Sequence, residues 1–235
     1  MASTDNSQAA LAQTIYEGLR DEITSGKLRP GEPLSRRRVA RRYGTSFIPV
    51  IEALVRLEGA GLVESEARQS ARVRRITVET IREDYALREA YETQAIRLAS
   101  EHATASEIRE LYRLAEGVDA CVSAGGTQNP TDPGSLLHWQ FHRQIARTSG
   151  CGALVRSLER IELLRRLQAN WYFAPGLCDP PRYHSLLVDA IDRRRPDEAD
   201  AVMRAHVRKG LEKELLAYRL RENGEPQASA PAVKP

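Results

Sequence analysis

Long apolar runs are missing from this 235-residue chain. No stretch approaches the roughly 20 consecutive apolar residues that a membrane-spanning helix requires, so no membrane partner is expected. The opening MASTDNSQAALAQ is polar and lacks a basic start followed by an apolar block, so no export signal is expected. Cysteine is scarce: Cys121, Cys151 and Cys178 form no CxxC pair and no even framework. Reduced thiols in a cytoplasmic protein are therefore expected. Histidine is scarce too, with five in all. The whole chain, 41% hydrophobic and 29% charged, suits a soluble protein with a proper core, in one large domain or two modest ones.

A large net charge is also absent, at +3, but the balance is uneven along the chain. Between Lys27 and Arg75 there are 12 Lys/Arg against 5 Asp/Glu, or +7; from Thr77 onward there are 22 against 23, or −1. All the excess positive charge lies in the first third. That asymmetry fits a nucleic-acid-binding module joined to a neutral domain, although a merely solvated basic face has the same composition.

Periodicity divides the chain the same way. Residues 1–10 are polar and expected to be loose. In LAQTIYEGLRDEITSG, Leu11, Ile15, Leu19 and Ile23 recur at steps of four, a helical stripe ending at Ser25-Gly26. KLRPGEPL reads as a turn. SRRRVARRYG reads as a short helix capped by Ser35, with Val39, Ala40 and Tyr43 inward and Gly44 as its stop. After Gly44-Thr45-Ser46, FIPVIEALVRLEGAG reads as another helix, capped by Ser46 and burying Val50, Ala53, Leu54 and Leu57. Its Pro49 is tolerable in a first turn, where amides have no intrahelical acceptor. LVES and ARVRRI read as two short strands around EARQS.

This order predicts a winged helix-turn-helix over residues 11–76. The second helix of the pair would present its N-terminal end to base edges in the major groove. The basic helix, with Arg36, Arg37, Arg38, Arg41 and Arg42, would cross phosphates, and Arg72, Arg74 and Arg75 could add wing contacts. From Thr77 the strand pattern vanishes. Six segments with apolar residues at helical spacing follow, separated by Gly, Pro and Ser, which predicts an antiparallel bundle over residues 77–222. Residues 223–235 have no periodicity and are expected to be disordered. The fold class is mainly α: a winged helix-turn-helix followed by an all-α antiparallel helical bundle.

Two of the five histidines fall in HWQFH, where His138 and His142 share one helical face. Imidazoles at i and i+4 can share one ion, and three or four converging nitrogens suit Zn²⁺, Ni²⁺, Cu²⁺ or Fe²⁺. Equally, buried histidines can simply bond carboxylates or carbonyls, and the lone His102 is read that way.

The stretch LRPGEPLSRRRVARRYGTSFIPVIEALVRLEGAGLV resembles the DNA-binding domain of the GntR family of bacterial transcription regulators. The likeness rests on the PGE-x-L turn, the xVAxxYGxS step, the P-V-x-E-A-L-x-x-L core and the G-L-V ending. The helical part resembles the ligand-sensing (FCD-type) domain of the FadR branch, particularly its six-helix VanR-like form. That family sets Asp-x-x-x-His on one helix, a His at the start of a later helix, and a last His ending A-x-x-x-M-x-x-H. The matching residues here are His138 and His142, then His184 in RYHSLLVDAI, then His206 in ADAVMRAH. The resemblance thus implies a divalent metal held by His138, His142, His184 and His206. It implies a small carboxylate effector near Arg88 of ALREAYE, whose guanidinium fork suits a carboxylate. Glu92, one turn on, offers Arg88 a plain salt bridge instead. It also implies a cytoplasmic homodimeric repressor on a near-palindromic double-stranded DNA operator, with Ser35, Arg36, Arg37, Arg41, Thr45, Ser46, Phe47, Pro49, Ile51 and Arg72 at the DNA.

The sequence departs from the family pattern in four places. His138 stands where an aspartate is usual, which removes a negative charge and favours Zn²⁺ or Ni²⁺ over Mn²⁺. Cys151 stands where an asparagine usually supplies a polar contact. Phe47 and Ile51 replace arginines, the usual readers of guanine. They could meet thymine methyls or belong to a hydrophobic contact that shields the helix. Two other functions compete: a sensor or partner-binding protein with weakened DNA reading, and a metal-dependent enzyme in which open coordination positions activate water. Against the enzyme, no acid or base stands at a recognisable catalytic spacing, and the basic module would be unexplained.

Overall fold

A computed structural model describes residues 2–65, 71–124, 132–169 and 180–223. The chain forms two compact units, Met1–Ile76 with Leu163–Trp171, and Thr77–Glu162 with Tyr172–Pro235. Placing residues 163–171 in the first unit departs from a simple division at 76/77. Cys178 and the 224–235 tail lie outside the described residues.

In the first unit, helix α1 (Ala2–Thr24) takes in residues 2–10, where a loose chain was expected. Ile15, Leu19 and Ile23 of its stripe are buried together with Ala12, and α1 packs on α3. Helix α2 (Arg36–Arg42) begins at Ser35, whose Oγ accepts from the Arg38 amide at 3.4 Å. Gly44, at φ +61°, turns the chain, and the Thr45 amide donates to Ala40 O at 3.0 Å. Helix α3 (Phe47–Gly59) buries Val50, Ala53, Leu54 and Leu57 as the periodicity predicts. Ser46 occupies the cap position, but its hydroxyl makes no capping bond, contrary to expectation.

Strands β1 (Val63–Glu64) and β2 (Arg72–Val73) pair antiparallel, Val63 opposite Val73 and Glu64 opposite Arg72. The PGEPL segment is more than a turn. Its backbone adds to the ribbon through Leu34 N to Ala71 O (2.6 Å), Gly31 N to Val73 O (2.9 Å) and Val73 N to Glu32 O (2.9 Å).

Among the described residues the second unit holds six helices: α4 (Val78–His102), α5 (Ala105–Ser123), α6 (Pro133–Thr148), α7 (Gly152–Ala169), α8 (Ser185–Asp192) and α9 (Pro196–Glu222). The last turns of α7 group with the first unit. Capping residues set the starts: Thr77 with Thr80 for α4, Thr104 with Glu107 for α5, and Asp132 with Pro133 for α6. Each such cap satisfies amides that the helix itself leaves open. At the other end of α4, Arg194 adopts φ 56° and donates to Ser100 O (3.2 Å) and Ala103 O, closing carbonyls left without intrahelical partners.

Helix α4 packs along α9, α6 lies against α4 and α5, and α8 touches α4, α5 and α9. The core so formed includes Ile81, Ile96, Leu111, Leu114, Phe141, Ile145, Leu187, Met203 and Val207. Burying each large side chain contributes about 1.5–3 kcal/mol. These contacts bring residues of α4, α6, α8 and α9 to one interior position. Among the described residues, no helix is long and apolar enough to cross a membrane.

Candidate metal centre and nucleic-acid interface

His138 and His142 lie one turn apart on the inward face of α6, the first half-buried and the second buried. His206 reaches the same point from α9. The Nε2 atoms of His138 and His142 are 2.9 Å apart, and those of His142 and His206 are 3.1 Å apart. All three rings offer ligand nitrogens within 4.8 Å of one another. His184, just before α8, is not part of that group. Its ring packs beside it, with centroids 4.7 Å from His138 and 5.2 Å from His206. The structure therefore brings three of the four predicted ligands together by donor atom and the fourth alongside as a ring.

Carboxylates from other helices orient two of these rings. Asp119 on α5 accepts from His184 Nδ1 (2.9 Å), the His184 amide (3.0 Å), the Ser185 amide (3.1 Å) and Ser185 Oγ (2.7 Å). Burial works against its charge, yet these bonds hold the Asp119 carboxyl down at about 2. An ionised Asp119 requires the proton on His184 Nδ1, and the buried Nε2 has no hydrogen-bond partner among the described residues.

On α4, Glu92 Oε2 lies 2.5 Å from His142 Nδ1. Burial opposes this charge as well, but Arg88 and then His142 outweigh it and hold the Glu92 carboxyl at about 2. The His142 lone pair is thereby aimed through Nε2 at His138 and His206. Such carboxylate–histidine pairs are the usual outer support of metal-binding imidazoles. The sequence offered Glu92 only as a salt-bridge partner of Arg88, and Asp119 did not stand out.

Desolvation, followed by the charges of neighbouring groups, holds the His138 and His206 rings well below their usual range, and burial also lowers His142. These three rings are neutral at pH 7 and offer lone pairs. Two nitrogens bound at roughly 2.0–2.1 Å to one zinc ion stand about 2.9 Å apart at a right angle and about 3.4 Å apart at a tetrahedral one. The observed 2.9 and 3.1 Å fall in that range. Without a cation, the single lone pair of His142 Nε2 must serve both neighbours, and His184 Nε2 remains buried without a hydrogen-bond partner among the described residues. The donor set fits a borderline divalent ion.

Arg88 is buried on α4, with Nε donating to Glu92 Oε1 and its guanidinium 5.3 Å from the Tyr85 ring centroid. The salt bridge that the sequence allowed is thus the contact formed. Cys151 is a half-buried free thiol in the turn before α7, and its amide donates to Ser149 Oγ at 3.1 Å.

In the first unit, the five arginines of α2 and its end divide by use. Arg42 forms a two-bond pair with Glu22 of α1, and Arg38 donates to Pro33 O at 2.9 Å. Arg36, Arg37 and Arg41 are exposed, with no ion pair or hydrogen bond among the described residues. Thr45 is half-buried and Ser46 exposed. Ser35 is half-buried and occupied as a cap, and Arg72 is half-buried on β2 opposite Glu64. Pro49 is buried in the α3 core, because helical geometry turns it toward the Val50 side, so its side chain is not a surface for DNA. Phe47 and Ile51 are exposed.

Known families match both parts of the chain. Residues 11–73 match the bacterial regulatory proteins of the gntR family, and residues 83–209, more than half of the chain, match the FCD domain. The chain belongs to the GntR family. This GntR-family protein is 31% identical over 206 residues to the "Probable D-xylose utilization operon transcriptional repressor" of Paenarthrobacter nicotinovorans, covering 83% of this chain and 86% of that one. It is 24% identical over 199 residues to the HTH-type transcriptional repressor RspR of Escherichia coli K12, covering 83% and 85%. The solved structure of E. coli McbR/YncC matches it with TM-score 0.65 at 20% identity, over 88% of this chain and 98% of that one, which shows a shared fold. The GntR-family assignment makes it a DNA-binding regulator and removes the metal-dependent enzyme considered from the sequence.

Proposed function

We propose that this regulator is a metal-loaded repressor that binds a near-palindromic operator as a homodimer and senses a small carboxylate in its helical domain. One observation carries the reading: three Nε2 atoms from two helices converge in the bundle, and His142 among them is oriented by a buried carboxylate. His138, His142 and His206 would hold the ion, with His184, turned by Asp119, as the neighbouring fourth ring. A bound divalent ion would supply positive charge and open coordination positions to an acidic effector. His138 in place of a carboxylate leaves the donors all imidazole, which favours Zn²⁺ or Ni²⁺.

Arg88 contributes a permanent buried cation beside the rings, and its charge also lowers the pKa of His138, His142 and His206. An anion drawn into the bundle gains from that cation even while Nε remains on Glu92. Effector binding then shifts the bundle between arrangements only by the difference in its affinity for them. At the DNA, Arg36, Arg37 and Arg41 would meet phosphates while Thr45 and Ser46 stand at the start of the reading helix.

Elemental analysis of the purified protein tests the metal. Zinc or nickel near one ion per chain, lost on His142→Ala, supports the reading; abundant manganese with neither of the others refutes it. A thermal-shift screen of organic acids with and without chelator tests the effector. Stabilisation that survives complete metal removal argues against a metal-assisted site.

A further inference from the structure

The exposed side of α3 is apolar. Phe47, Ile48, Ile51 and Val55 are 53, 62, 41 and 60% exposed. At 100° per residue their side chains fall within a sector of roughly 100°, adjoining the buried arc of Val50, Ala53, Leu54 and Leu57. Glu52 flanks the stripe and is also exposed. A large apolar patch on otherwise charged surface marks an interaction site. Its neighbours in the same unit indicate the partner's charge: Arg36, Arg37 and Arg41 of α2 present guanidinium groups with no protein partner among the described residues. An occupant must therefore be polyanionic on its outside and apolar where α3 meets it.

Duplex DNA meets both conditions through one group. The only apolar feature of the major-groove floor is the C5 methyl of thymine, whereas guanine is read by hydrogen-bond donors that this stripe lacks. We propose that α3 reads thymine methyls, so that Phe47, Ile48 and Ile51 determine specificity for a thymine-rich half-site. Phosphate contacts from α2 supply register and carry no sequence information. The proposal rests on the DNA-binding reading above and adds which base it selects.

The test starts from random-sequence duplexes selected with the full-length protein. Selected sites are then copied with thymidine or with deoxyuridine, which lacks only the methyl. Thymines should cluster in each half-site. The uracil copies should bind at least roughly tenfold more weakly, given about fourfold for each methyl-sized group left unburied. The exposed double variant Phe47→Ser/Ile51→Ser should lose the same factor on thymidine copies and bind both copies alike. Equal binding of both copies by the unaltered protein, with steep salt dependence retained, overturns the thymine reading and leaves DNA binding standing. Failure to select any duplex overturns both. A change in the DNA-free sedimentation mass on Phe47→Ser/Ile51→Ser assigns the face to a second copy of the chain and also overturns the proposal.

Discussion

Replacing Glu92 by glutamine alters one atom's chemistry at the most heavily coupled point of the helical domain. Glu92 is 2% exposed and joins Arg88, one turn earlier on α4, to His142 of α6. The amide keeps the shape but removes the charge. Arg88, itself buried, is left as a cation without its counter-ion, and the amide group facing His142 Nδ1 can become a donor against a donor. Breaking one side of a buried pair costs about 3–5 kcal/mol, and at roughly 2–4 °C per kcal/mol for a chain of this size the melting temperature should fall by about 6 °C or more. Urea denaturation of chelator-treated protein, followed by far-ultraviolet circular dichroism, measures the cost directly, with the slope expected to stay constant. Adding Arg88→Met to Glu92→Gln removes the orphaned cation, so the double variant should recover part of the loss, a coupling of about 0.5–3 kcal/mol. With metal present, the affinity of Glu92→Gln should fall about 10–100-fold because the His142 ring is no longer oriented. A cost below about 1 kcal/mol with strictly additive single variants would show that the pair is not what organises this site.

Other expectations follow from the same contacts. Asp119→Asn should lower metal affinity about 10–100-fold in a competition titration, since His184 loses the ionised acceptor that turns its ring; an unchanged affinity would place His184 outside the site. The chelated protein should lose stability as pH falls below about 6.5. The buried rings of His138, His142 and His206 have lowered folded-state values, so only the unfolded chain takes up protons there, at up to about 1.4 kcal/mol per ring per pH unit. A melting temperature flat from pH 7 to about 5.5 contradicts this. Gly18→Ala would set a Cβ 2.3 Å from Tyr43 Oη and 3.4 Å from Cζ. It should cost about 1–3 kcal/mol in spite of better helix propensity, and Tyr43→Phe should restore most of the loss; no restoration would mean that the ring, not the hydroxyl, is in the way. Arg37→Ala should reduce the salt dependence of DNA binding by about one counter-ion equivalent, read from the slope of affinity against salt. An unchanged slope places Arg37 away from phosphate.

Much of this arrangement was legible before any coordinates, and for a local reason. A step of four places Ile15, Leu19 and Ile23 on one side of α1 and His138 and His142 on one side of α6, whatever those sides face. Ser35 and Gly44 mark boundaries because an open amide or a turn needs those particular residues. The helix-turn-helix order, the two strands after it and the six following helices are all short-range properties of this kind.

The rest depended on which faces meet. Glu92 reads only as a partner for Arg88, and Asp119 as a solvated helix position, until α4 and α5 bring them to His142 and His184, whose ring N–H groups stabilise the buried carboxylates. Arg88 could equally have faced a ligand or Glu92, and packing of α4 against α9 leaves it on Glu92. Pro49 counts as core because the α3 rotation that buries Val50 and Leu54 carries it inward, and the PGEPL segment joins the ribbon because unpaired strand amides lie beside it. Spacing along a helix decides which side chains share a side; only long-range contact decides what charge, ring or solvent that side meets, and the chemistry of this site depends on that second choice.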